Sequence, residues 1–218
     1  MPARKAPGAT RYLPDILGFP ALRKAVQKCH GCDLYRNATQ AVFGEGASRA
    51  RVVLIGEQPG DEEDRVGHPF VGPAGKLLNR ALGEAQIDPS IAYFTNVVKH
   101  FKFEERGKRR IHKKPGVAEV EACAPWLVSE VELIRPLVIL CLGATAAQAV
   151  LGRDYRLTKS HGQFHPHAWA PYVSATLHPA AVLRAPDREQ RHQMYRQLVG
   201  DLTGARAILE KKKSSASS

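Results

Sequence analysis

The sequence predicts a three-layer α/β/α fold around a short, mainly parallel sheet of four strands. Short runs rich in Val, Ile, Leu and aromatics recur at Arg51–Ile55, Ile91–Val97, Leu137–Leu142 and Tyr172–Leu177, with the length and composition of buried strands. Helical patterns fill the intervals between them. The resulting order β-α-β-α-β-α-β-α requires crossovers, and crossovers place helices on both faces of a parallel sheet.

Taken in order, residues 1–18 are expected to be a loose N-terminal end, because the first twelve are basic and punctuated by Pro and Gly. They lack the apolar centre of an export signal. The first strand, Arg51–Ile55, runs into Gly56-Glu57-Gln58-Pro59-Gly60, a sharp turn. The helix Ala74–Ala85 begins after Pro73, which suits a first helical turn. The helix Val117–Leu133 sets Val117, Val120, Ala124, Leu127, Val128 and Val131 at three- and four-residue steps, predicting one apolar face. The run from Pro136 to Gly152 is broken by Gly143, Thr145 and Gln148. It reads as a strand, a turn and the helix Ala144–Leu151 rather than a membrane span. A last helix covers Arg188–Ile208, and the Lys/Ser-rich stretch 211–218 is expected to be a disordered tail. With 44% hydrophobic residues in 218, the chain supports one well-buried core, so residues 19–210 are expected to form a single domain.

Composition restricts the partner. A formal net charge of +11 and a pI near 9.7 suit a polyanion, nucleic acid being the commonest. No segment suggests a membrane or export, so an intracellular, cytoplasmic location is expected, with association to the nucleoid through DNA. Four cysteines (Cys29, Cys32, Cys123 and Cys141) in a reducing compartment favour metal binding or burial over disulfides.

The chemically loaded residues gather on one rim. In open parallel sheets ligands bind at the carboxyl ends of the strands. Glu57 follows the first strand, Asn96 closes the second and His178 follows the fourth. A carboxylate at a strand tip can stabilise a developing cation or orient a nucleophile; otherwise it is a solvated turn residue. Phe70, beside the glycine-spaced turn 71–75, is either a core aromatic or a face on which an extruded base stacks, an interaction worth roughly 1–3 kcal/mol. Asn96 offers both a donor and an acceptor, as the polar edge of a base requires, or else shapes a turn. His178 can donate to an oxygen on which negative charge builds, or be a structural imidazole. Leu183 and Arg184, read as lying near a helix start, suit a wedge into DNA and a phosphate contact. Finally, His112 stands among six residues (108–111, 113, 114) of which five are cationic. Such a loop attracts phosphate, through Lys108, Arg109 and Arg110, and its cations should press the imidazole below its usual pKa of about 6.5, toward the neutral, nucleophilic form.

The segments GEQPGDEED (56–64), HPFVGPAG (68–75), TNVVKH (95–100) and HPAAVLR (178–184) resemble the ordered motifs of the uracil-DNA glycosylase superfamily. They are most similar to those of its iron–sulfur branch, the family 4 enzymes, and the inserted KRRIH segment resembles the hallmark of the UdgX subgroup. The resemblance spans about Cys29 to Arg184. It implies excision of uracil from DNA, with Glu57, Gln58, Phe70, Asn96 and His178 forming the uracil and transition-state pocket. Single-stranded DNA is expected among the substrates, and a monomer is expected because the residues give no interface signal. It further implies that His112 attacks C1′ of the deoxyribose and remains bonded to it. Ala180 and Ala181 depart from the pattern by offering no hydroxyl to phosphate.

The same resemblance implies a [4Fe–4S] cluster. Cys29-x-x-Cys32 is by itself a half-site shared by zinc, iron–sulfur and redox chemistry. Counting adds Cys123 and Cys141, although Cys141 sits inside an apolar strand and reads as buried. Family 4 chains carry a cysteine where this one has His100, so the implied ligands are Cys29, Cys32, His100 and Cys123. A histidine ligand would raise the cluster potential, and the expected role is structural. Two other readings remain open: a family 4 enzyme that hydrolyses with turnover, and a metal-stabilised DNA-binding protein without activity. A nucleotide-binding module is disfavoured because neither GxGxxG nor GxxxxGK[ST] occurs.

Overall fold

A computed structural model describes residues 8–214. The strands β1 (Glu45–Gly46), β2 (Val52–Gly56), β3 (Ala92–Asn96), β6 (Val138–Leu142), β7 (His165–His167) and β8 (Ala170–Thr176) form one sheet in the order β1-β3-β2-β6-β8-β7. Its centre, β3-β2-β6-β8, is the parallel set expected from the sequence. The sheet nevertheless has six strands, not four. β1 and β7 add antiparallel edges of two and three residues, too short to leave a hydropathy signature.

Every residue of β2 and β6 is buried, because helices cover both faces. On one face Val53, Ile55, Ile139, Cys141 and Val173 pack with residues of α1 (Phe19–Val26), α4 (Val117–Ile134) and α5 (Ala144–Leu151). On the other, Val52, Leu54, Val138 and Leu140 meet α3 (Pro73–Glu84) and α8 (Arg188–Ser214). The face of α4 differs from the expected one. Val117 is exposed, whereas Cys123, Trp126 and Glu130 are buried together with Leu127 and Val131. The inward polar groups have partners: Glu130 lies 2.5 Å from Lys99 Nζ, both side chains fully buried. Lys99 also donates to Thr95 Oγ1 and the Asn96 carbonyl, while Tyr93 and the Gly44 amide donate to Glu130.

The described parts of the two end segments are held by regular contacts. Residues 1–7 and 215–218 lie outside the described residues. From Gly8 onward the N-terminal segment is pinned, the Gly8 and Ala9 amides donating to the carbonyls of Gly31 and Ala122, with Ala9 fully buried. At the other end, residues 211–214 extend α8. The basic loop is likewise structured: β4 (Phe103–Arg106) and β5 (Arg109–His112) form an antiparallel hairpin that turns at Gly107. Its polar composition hid it, since charge pairs such as Lys113–Glu104 (2.7 Å) take the place of apolar alternation.

Among the described residues no helix is long and apolar enough to cross a membrane.

Candidate active site

The strand order reverses at β2. From there the chain moves to β3 on one side and then returns to β6 and β8 on the other. A crevice opens at such a switch point beyond the carboxyl ends of the strands. Here it is a cavity of about 390 Å³, lined among others by Glu57, Gln58, Phe70, Asn96, His112, His178 and Arg184. Residues spread over 128 positions of sequence thus meet in one place.

Each wall has a local cause. Asn96 ends β3 and is 3% exposed. Its side-chain amide has no hydrogen-bond partner among the described residues, so donor and acceptor are both available to a ligand. Gly56 makes room beside it, because a Cβ there would lie 2.3 Å from Asn96 Oδ1 and 2.8 Å from Phe70 Cζ. A side chain at Gly56 would therefore displace the Asn96 amide or the Phe70 ring.

Phe70 has a φ of +55°, a strained value for a non-glycine residue. Tight packing holds it: a Cβ at Gly75 would lie 1.7 Å from the Phe70 carbonyl oxygen. Its ring meets Phe94 at 6.0 Å between centroids. Nearby, buried Glu63 ties the two turns together, accepting from the Gly60 amide at 3.1 Å and the Gly72 amide at 2.9 Å.

His178 caps the short helix α7 (Pro179–Leu183), its Nδ1 accepting from the Ala180 amide at 3.1 Å. That bond leaves the proton on Nε2, as a donor to a ligand oxygen requires. Burial first, then Arg184 and His112, hold its pKa down at about 4. Leu183 and Arg184 stand at the end of this helix rather than at its start, so no helix N-terminus assists a phosphate at that point. Arg184 nonetheless lines the cavity and acts on both histidines.

The hairpin delivers His112. Its Nε2 lies 3.3 Å from Glu57 Oε1, and its ring packs on Phe101 at 6.1 Å. The imidazole pKa is lowered as expected, but for another reason. Burial is the largest cause and Arg184 adds to it, while Glu57 opposes both. Of the loop cations, Arg110 and Lys113 are held by carboxylates instead. Arg110 reaches Asp61 Oδ1 at 2.5 Å and Asp64 Oδ2 at 2.6 Å, also donates to Thr39 Oγ1, and packs over Phe103. It anchors the hairpin to α2 (Asp61–Val66), so its guanidinium is engaged by carboxylates where a phosphate contact was expected. Lys108 and Arg109 are exposed at the tip and stay available.

Gln58 lines the cavity, but its side-chain amide is engaged elsewhere. Its side chain donates to the carbonyls of Lys102 and Lys113, both at 3.1 Å, and accepts from the Lys102 amide. All of its amide is spent on clamping the two ends of the hairpin.

The cysteines fall into two groups. Cys141 is buried in the sheet core, where desolvation alone raises its pKa. Cys29, Cys32 and Cys123 are free, buried and close enough to act electrostatically on one another. Burial pushes the Cys123 thiol up to about 12. Trp126 Nε1 donates to Cys29 Sγ and the Lys99 amide to Cys123 Sγ. His100, next to Lys99, is buried and feels His30, which directly follows Cys29. Three buried thiols are donors of the kind an iron–sulfur group takes, while the His100 ring has Asp64 and His30 as its charged neighbours. Among the described residues, no three His, Cys, Asp or Glu side chains stand arranged around a single metal ion.

Residues 43–203 match the uracil DNA glycosylase superfamily, and the chain belongs to it. It is similar to the type-4 uracil-DNA glycosylase of Thermotoga maritima, 37% identical over 189 residues, covering 85% of this chain and 92% of that one. The type-4 uracil-DNA glycosylase of Archaeoglobus fulgidus is 36% identical over 188 residues, covering 83% and 91%. That of Pyrobaculum aerophilum is 33% identical over 172 residues, covering 76% and 84%.

One part of the site escaped the sequence reading. Gly143, Ala144 and Thr145, just beyond β6, line the cavity beside Glu57. The rule that pointed to the tips of the other three central strands, applied to β6, would have found them.

Proposed function

We propose that this protein excises uracil from DNA and is then captured on the abasic sugar through His112. What supports the reading above all is the placement of His112 Nε2 at 3.3 Å from Glu57 Oε1, in the same cavity as Asn96, Phe70 and His178.

An extruded uracil would lie against Phe70, its O4 and N3–H facing the Asn96 amide and its O2 facing His178 Nε2–H. The bond between C1′ and N1 breaks, and its electron pair leaves with the base as a uracil anion. His178 donates to the oxygen on which that charge builds. The sugar is left oxocarbenium-like, and the Glu57 carboxylate offsets its charge. A lone pair on a His112 ring nitrogen then forms the new bond to C1′. The ring becomes cationic, and Glu57 stands ready for its remaining proton. Water in place of the histidine would give ordinary turnover. Lys108, Arg109 and Arg184 supply positive charge for the phosphates.

Cys29, Cys32, His100 and Cys123 would hold a [4Fe–4S] cluster. The cluster would tie the N-terminal segment to the loop after β3 and to α4, a structural duty. A brown protein absorbing near 400 nm is expected; colourless protein with stoichiometric zinc would reject the assignment.

Mixing the protein with a single-stranded oligonucleotide containing one uracil tests the reaction. The expected result is free uracil together with a protein–DNA band that survives detergent and heat, absent when thymine replaces uracil. Free uracil without that band would leave hydrolysis with turnover.

Acidity gives a further check. Because the neutral imidazole is the nucleophile and its pKa is lowered, the midpoint of any acid loss of capture should lie below pH 6.5. Single-turnover rates across pH 4–8 measure this. A decline already complete by pH 6.5 would mean that the site raises the pKa instead.

A further inference from the structure

We infer that Thr145 is a positioning residue for the reaction, fixing through its hydroxyl which oxygen of Glu57 faces His112. The inference deepens the reading above and rests on it.

A glutamate carboxylate has two equivalent oxygens and a loose terminal torsion, so nothing intrinsic to Glu57 aims it. In the structure its oxygens are divided. Oε2 accepts from Thr145 Oγ1, and Oε1 is the atom at 3.3 Å from His112 Nε2. Thr145 is 9% exposed, and Glu57 is the partner of its hydroxyl. The residue lies in the first turn of α5, a helix of eight residues whose N-terminus favours a negative charge. Glu57 and Thr145 leave the tips of β2 and β6, the adjacent strands between which the topology reverses. The sheet itself therefore sets the distance between hydroxyl and carboxylate. Loss of the hydroxyl frees the carboxylate to rotate, and His112 loses its polar contact in the cavity, keeping only its packing on Phe101.

The test compares wild type, Thr145→Val and Thr145→Ser, reading released uracil and covalent band from the same samples, with Tm as a check on folding. Thr145→Val keeps the shape and removes the donor. It is expected to lower the share of excised sites that end as adduct about tenfold, with free abasic DNA rising to match. Thr145→Ser, which restores the donor, is expected to recover the wild-type partition. A Thr145→Val protein that partitions as wild type overturns the inference, as does a Thr145→Ser protein as impaired as the valine variant. Should Thr145→Val not fold, Thr145→Ala takes its place in the comparison. If wild type releases uracil but forms no adduct, the capture reading fails by itself. The role of Thr145 is then judged on uracil release: slower in Thr145→Val and restored in Thr145→Ser if Thr145 orients Glu57, equal in all three if it does not.

Discussion

His112→Ala is expected to abolish the detergent- and heat-stable protein–DNA band completely while uracil release continues. The residues assigned to base departure, Asn96, Phe70, His178 and Glu57, stand on strand tips and turns that owe nothing to the His112 imidazole. Its ring is about half exposed, so truncation leaves no buried cavity and no unpaired buried charge. Water can enter the vacated space beside Glu57 and capture the sugar. Gel electrophoresis, with free uracil quantified in parallel, reads both halves of the outcome. A variant that still forms the band would place the nucleophile on another side chain. Mass spectrometry of the digested wild-type adduct, locating the sugar on the peptide that carries His112, gives the same answer independently.

The largest effect on stability is expected at Glu130. Glu130→Ala strands the Lys99 ammonium, which is fully buried and 2.5 Å from the carboxylate it would lose. Breaking a buried pair from one side costs about 3–5 kcal/mol. For a chain of this size that is a fall in Tm on the order of 10 °C. Tyr93, Thr95 and the Gly44 amide lose their acceptor in the same step. Replacing both charges, as in Lys99→Met with Glu130→Leu, should recover much of the loss, because no charge is then left unpaired. Thermal denaturation of the three proteins decides the matter. A single variant as stable as wild type would show that water reaches Lys99. The network also touches function, since Lys99 holds the Asn96 carbonyl at 2.9 Å and its own amide holds Cys123.

How much was legible in advance differs by kind of residue. The four central strands and the helices α3, α4, α5 and α8 were readable because each buries enough apolar surface to leave a periodic trace. The short edges β1 and β7 left none, and the charged hairpin read as loop. Glu57, Phe70, Asn96, His112 and His178, which line the cavity, could be singled out by residue type and position alone. Arg110 and Gln58 read from the sequence as a phosphate ligand and a base contact, but nothing in residue type shows which partners their side chains take. Both are spent on holding the hairpin in place. Thr145 looked like an ordinary helix residue.

By itself the sequence determined the α/β class, the parallel centre of the sheet and the rim on which reactive side chains would gather. Those properties follow from local periodicity and from the rule that strand ends carry ligands, neither of which needs a partner specified. Only the tertiary structure decided which polar groups are free and which are committed. A guanidinium or amide has the same chemistry on the page whether it faces a ligand or two aspartates. Its availability depends on what the fold places within about 3 Å of it, the reach of a hydrogen bond.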